Sequence, residues 1–177
     1  MNSSNNQSQI VETFIKKLLA HLDECEVEKL QQFLQLFKQQ DCKIIVNAQP
    51  FAQPTTFLQI WQQQVVATQH SLTSLDYHVI PGTGTLMCNV NCKVRFDESG
   101  KDKMYNDAII TALGSASAPS NPSKPAATRN RRLWGTYYGV SLQVIVDDAI
   151  FRNNFLGVIS GYNYNTVYKP DDSLIII

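Results

Sequence analysis

TLMCNVNCKVRF, residues 85–96, divides into two sets of side chains. Leu86, Cys88, Val90, Cys92, Val94 and Phe96 share one parity; Met87, Asn89, Asn91, Lys93 and Arg95 share the other. Successive side chains of a strand point to opposite faces, so this stretch reads as a long strand with one apolar and one polar face. The apolar face belongs to a core. The polar face holds the functional question.

The neighbouring stretches extend this reading. Thr68–Ile80 also has period two and ends at Pro81-Gly82-Thr83-Gly84, whose residues favour a turn. The two stretches therefore form a hairpin with Asp97–Gly100 at its far end. Tyr137–Val146 is a further strand, with Tyr138, Val140, Leu142, Val144 and Val146 on one face and Gly139, Ser141, Gln143 and Ile145 on the other. Asp147-Asp148 ends it. Phe155–Tyr164 returns as another strand, with Tyr162 and Tyr164 sharing a face with Leu156 and Val158. Tyr168-Lys169-Pro170 breaks that pattern, and Asp107–Leu113 reads as an extended edge segment.

Upstream of the hairpin the period is helical. Ile10, Val11, Phe14, Ile15, Leu18, Leu19 and Leu22 predict a helix from about Ser8 to His21. Asp23 then reads as an N-cap and Glu26 as its capping-box partner, opening a second helix to about Phe37. Lys43–Val46 is a short strand. Pro50 and Pro54 bracket a turn, and Pro54 suits the first position of a third helix, Thr55–Ala67. Three helices followed mainly by antiparallel strands make an α+β fold. Helices packed on one face of a strongly bent sheet form a cone. The apolar tail Ser173–Ile177 is expected to dock.

The 177 residues suit a single domain spanning 1–177. A chain of this length buries roughly 70% of the surface its unfolded form exposes, so it needs no staples. Charged residues are 17% and the formal net charge is +0, so any attraction to nucleic acid or an acidic membrane must be local. Cys25 and Cys42 stand apart, and Cys88 and Cys92 lie about 13 Å apart along one strand face. That exceeds the ~7 Å Cα limit for a disulfide. They read as buried small hydrophobes in a reducing compartment. The sequence contains no C-x-x-C pair, phosphate-binding glycine loop, nucleophile elbow or H-E-x-x-H motif. No metal or cofactor is expected. The first residues, MNSSNNQSQ, lack signal-peptide character, and no run approaches the ~20 apolar residues of a membrane span. A soluble nuclear or cytosolic protein without membrane insertion is expected.

Three candidate sites remain. Asp76-Tyr77-His78 is the one enzyme-like cluster; a cone-fold isomerase or dehydratase would use Asp76 and His78 in an apolar pocket. The alternative places both on the outward face of a strand. Residues 114–132, GSASAPSNPSKPAATRNRR, read as a flexible basic loop with Lys124, Arg129, Arg131 and Arg132 and no acid between them. It is either a solvated tether or an arm contacting RNA phosphates. The third candidate is the second face of the sheet. Met87, Tyr137, Ile145, Gly139 and Gly161 are not the residues of a face left to water. They argue for contact with another protein, with Asn89, Asn91, Ser141, Gln143, Lys93 and Arg95 available for bonds across it.

FAQPTTFLQIWQQQVV (51–66), DYHVIPGTGTLMCNVNCKVRFDESGKDKM (76–104), RRLWGTYYGVSLQVIVDD (131–148) and FRNNFLGVISGYNYNTVYKPDDSL (151–174) carry a resemblance over most of the chain. They resemble the small subunits of fungal mRNA export receptors, in the nuclear transport factor 2-like family. The resemblance implies a cone of three helices and six strands without catalytic activity. It implies an obligate heterodimer in which this sheet faces that of the large subunit's nuclear transport factor 2-like domain. It further implies passage through nuclear pores on FG-repeat nucleoporins, by way of the complex, carrying mRNA and large ribosomal subunits. The location implied is the nucleus and nuclear pore, with shuttling to the cytoplasm. The 114–132 loop departs from the family pattern.

Overall fold

In the computed structural model, residues 3–107 and 131–173 are described. The central hairpin forms where the alternation places it, as β3 (Thr68–Ile80) and β4 (Thr85–Phe96). Gly82 and Gly84 in its turn take φ of 75° and 66°, a region glycine enters without steric penalty. The other strands are β1 (Lys43–Val46), β2 (Gln49–Phe51), β5 (Tyr138–Asp147) and β6 (Ile159–Tyr168). They make one sheet in the order β2-β1-β6-β5-β4-β3. All neighbours are antiparallel except β1 and β6, which pair in parallel from Lys43↔Gly161 to Val46↔Tyr164.

The helices α1 (Ser3–Leu22), α2 (Leu30–Leu34) and α3 (Pro54–Gln64) cover one face of this sheet. Val11, Phe14, Ile15, Leu18, Leu19 and Leu22 form the buried stripe of α1; Phe57, Leu58 and Trp61 form that of α3. They meet the apolar parity of β4 and β5, including Cys88, Val90, Cys92, Leu142 and Val144. Register shifts leave an extra residue in β3 between Leu72 and Ser74, and in β6 opposite Gly139/Val140 and Ile145/Val146, and add local bends of the kind that curl a sheet. The interior is packed with rings: Phe57 lies 5.2 Å from Tyr162, 6.0 Å from Trp61 and 6.5 Å from Phe37, centroid to centroid. Pro54 occupies the start of α3, as its fixed φ and missing N–H favour.

Several elements differ from expectation. Asp23 caps no second helix. Its Oδ2 accepts from the His70 N–H at 2.8 Å, and Oδ1 accepts from the Thr68 hydroxyl at 2.9 Å. With that carboxylate drawn into β3, Glu24 Oε1 accepts from Cys25 N and Glu26 N, both at 3.0 Å. A 3-10 turn, Val27–Lys29, then leads into the short α2. The expected turn between Pro50 and Pro54 is preceded by β2, which folds back on β1 through Asn47 and Ala48, both at positive φ. Helix α3 ends at Gln64 because Val65 is already extended. Strand β6 starts at Ile159, after a turn with Asn153 and Gly157 at positive φ, and it runs through Tyr168. Leu156 is therefore 64% exposed rather than part of a strand. Most of Asp107–Leu113, most of the 114–132 loop and the last four residues lie outside the described residues.

Candidate partner interface

The outer parity of β4, β5 and β6 forms rows across the sheet. One row aligns Asn89, Gln143 and Asn163; the next aligns Asn91, Ser141 and Asn165. Their amides bond both along and across the strands. Asn165 Nδ2 donates to Asn163 Oδ1 at 3.0 Å, and Asn91 Nδ2 donates to Ser74 Oγ on β3 at 2.9 Å. On either side of this polar centre a glycine admits a large neighbour. A Cβ on Gly161 would stand 3.0 Å from Ile145 Cδ1, and one on Gly139 would stand 3.1 Å from Tyr168 Cβ. Ile145, beside Met87, thus lies over Gly161, and Tyr168 lies beside Gly139.

Lys93, Arg95 and Tyr137 lie toward the Gly139 end. Arg95 Nε donates to Gln69 Oε1 at 2.8 Å. Its guanidinium carbon lies 5.4 Å from the centre of the Trp134 ring and 5.2 Å from that of Tyr137. Lys93 Nζ stands 5.2 Å from the same Tyr137 ring. The eleven residues expected at an interface thus fall on, or just before, the strand face opposite the helices. No other described element covers that face.

The enzyme-like cluster separates. Asp76 and His78 lie on the outer face with side chains 73% and 66% exposed, and they pair with each other at 3.4 Å in open solvent. Tyr77 points to the inner face, its hydroxyl 3.3 Å from Ser8 Oγ. Inside the cone lies a different constellation that sequence reasoning missed. His70 Nδ1 is 2.5 Å from Asp23 Oδ1, and Nε2 is 2.8 Å from the Tyr164 hydroxyl. The three residues are far apart in sequence. The only local signal was that His70 shares the inward parity of β3. Burial holds the Tyr164 phenol well above its usual range, so it stays protonated. Trp61 packs against both His70 and Tyr164, so these groups bond one another in a filled interior.

Two buried cations also escaped the sequence. Lys103 Nζ donates to the Trp61 carbonyl at 3.0 Å, in the last turn of α3, where a cation meets the negative end of the helix dipole. Burial lowers its pKa to about 8. Arg132, expected to contact phosphate, is instead committed internally. It donates to Asp97 Oδ2 at 2.8 Å and to the carbonyls of Asp102 and Lys103 at 2.6 and 2.8 Å. Its guanidinium also stacks 3.9 Å from the Tyr105 ring centre. A buried carboxylate demands such a partner, and Asp97 is fully buried. Arg131 is exposed, while Lys124 and Arg129 lie outside the described residues. Cys88 and Cys92 are buried among apolar side chains, which pushes each thiol up to about 12. Among the described residues, no group of three His, Cys, Asp or Glu could hold a metal. No described helix is long and apolar enough to cross a membrane.

Comparison with known proteins gives the lineage of this helix-backed sheet. The sequence model described as "Nuclear pore RNA shuttling protein Mtr2" matches residues 5–177. The chain belongs to the Mtr2 family. It is 60% identical to the mRNA transport regulator MTR2 of Saccharomyces cerevisiae over 181 residues, covering 100% of this chain and 95% of the relative. Its fold matches Mtr2 in the crystal structure of the Candida albicans Mtr2–Mex67 M domain complex, with TM-score 0.72 and 28% identity. That match covers 93% of this chain and 98% of the other. A putative dehydratase of the NTF2-like family from Streptomyces avermitilis shares the fold alone, with TM-score 0.57 and 7% identity over 94% of this chain and 99% of that one. The Mtr2 family is one of transport proteins, and this member is not an enzyme.

Proposed function

We propose that this chain is the small subunit of a heterodimeric mRNA export receptor and docks its outer sheet face on the M domain of a Mex67-type large subunit. The observation that carries this reading is the outer face, which no other described element covers. Its centre is an amide ladder that can bond across a second sheet, and aliphatic and aromatic groups flank it. The Candida albicans relative in complex with a Mex67 M domain supplies the partner class.

In this reading the complex, rather than this chain alone, engages FG-repeat nucleoporins. It carries mRNA and large ribosomal subunits, and it shuttles between nucleus and cytoplasm through the pore. Co-expression with the M domain should give a 1:1 complex. Gln143→Arg, at an exposed site on the central strand β5, should weaken it at least tenfold while leaving the melting temperature of this chain unchanged. Wild-type binding by that variant would move the interface to another face.

RNA or ribosomal contact is assigned to Lys124, Arg129 and Arg131. Exposed Arg131 favours this reading. Replacing the three with alanine should lower RNA affinity and flatten its salt dependence while the heterodimer persists. Unchanged RNA affinity would leave the segment a tether.

A further inference from the structure

Lys93 and Arg95 are cations for which the described residues provide no carboxylate. The ion pairs of the fold use other lysines and arginines, and Asp76 on the same face is paired with His78. The two cations project from one strand face two residues apart, roughly 7 Å along the strand, and repel each other.

They are nevertheless held in place. Arg95 spends Nε on Gln69 and lies against Trp134 and Tyr137, and among the described residues its Nη groups make no hydrogen bond. Lys93 shares the Tyr137 ring. Aromatic contacts of this kind stabilise a cation only modestly at exposed sites. Their larger consequence is to fix a guanidinium fork before any ligand arrives, which lowers the ordering cost of binding. A planar fork beside a second ammonium matches one carboxylate with two oxygens.

The setting selects the source of that carboxylate. Lys93 lies in the row of Gly139 and Tyr168, next to the amide row of Asn91, Ser141 and Asn165. Across β4, β5 and β6 these amide rows are uncharged, so a facing sheet could slide along them with little electrostatic penalty. A charged contact at the Lys93 and Arg95 end would fix register and orientation. We propose that Lys93 and Arg95 form a receptor for one Asp or Glu side chain on the partner's facing sheet. This rests on the outer face being the heterodimer interface. A sheet seated there covers the site and excludes a nucleic-acid backbone from it.

The test measures affinity for a purified Mex67-type M domain by titration calorimetry, using Arg95→Glu, Arg95→Met, Lys93→Glu and Gln143→Arg. Arg95→Met retains the packing against Trp134 and Tyr137, so it decides the matter if Arg95→Glu melts early. The charge reversals should weaken binding at least about 30-fold. Arg95→Met should weaken it less and flatten the dependence on NaCl. Replacing acidic residues of the M domain one at a time with lysine should yield one variant that binds wild type weakly and restores affinity to Arg95→Glu. Wild-type binding by Arg95→Met and Lys93→Glu, with Gln143→Arg impaired, overturns the carboxylate receptor but keeps the face. If all bind as wild type, the face reading itself fails. Intact heterodimer with lost affinity for single-stranded RNA would make the site a phosphate contact and overturn the proposal.

Discussion

Lys103 and Arg132 are buried for opposite electrostatic reasons. Arg132 neutralises Asp97, whose carboxylate also accepts from Ser99 and Leu133. Arg132→Met should cost about 3–5 kcal/mol, read from urea unfolding, because it leaves a buried carboxylate without its counter-ion. A loss within 1 kcal/mol would mean that the three remaining donors suffice. Lys103 has a helix carbonyl and the Trp61 ring but no acid in an ion pair. Its folded pKa of about 8 lies below the unfolded 10.5. Between those values the unfolded chain holds a proton that the folded one has released, so stability rises with pH. Cys42, Cys88 and Cys92, raised by burial, act in the opposite direction once unfolded thiols ionise near pH 9, and so do Tyr138, Tyr162 and Tyr164 nearer pH 10. The contribution of Lys103 is therefore read as the difference between wild type and Lys103→Met. From pH 8 to 9.5 wild type should gain about 1–2 kcal/mol relative to that variant in chemical unfolding. A difference that does not change with pH would contradict a buried lysine that loses its proton on folding. None of this was legible in the sequence. A lysine or arginine in a polar stretch reads as solvated, and nothing local shows that a helix end or a carboxylate distant in the chain will enclose it.

At the scale of elements, strand alternation was the most informative signal. The bounds of β3 and β4 and the inward set of β5 follow from period two and from the Pro-Gly-Thr-Gly turn. Asp23 misled because its capping chemistry competes with a long-range partner, and His70 and Thr68 win that carboxylate. The parallel β1–β6 pairing has no local signal, since it joins segments over a hundred residues apart. The late start of β6 was signalled by Asn153, Asn154 and Gly157, but Phe155 and Leu156 gave the turn the look of a strand. Gly161 shows how one element shapes the outer face. Gly161→Val would push Ile145 off β6 and should cost about 1–3 kcal/mol in chemical unfolding. It should also weaken M-domain binding, because Ile145 would then stand proud of the sheet. Unchanged stability and binding would place Ile145 outside the contact.

For the whole molecule, zero net charge and a filled cone direct attention to surface shape. The helices satisfy one face of the sheet, and among the described residues the other is a graded surface: aliphatic at Met87 and Ile145, amide-rich in the centre, and cationic–aromatic at Lys93, Arg95 and Tyr137. Its residues could be placed on one face from sequence because strand alternation sets them opposite the core parity. The proposed partner could not be read that way, since alternation carries no information about another chain. The most direct measurement is sedimentation velocity on this chain mixed with a Mex67-type M domain, alone and as Gln143→Arg. A 1:1 species with the wild-type chain, absent with the variant, is the predicted result. Two independently sedimenting monomers in the wild-type mixture, or an equally stable complex with Gln143→Arg, would contradict the assignment.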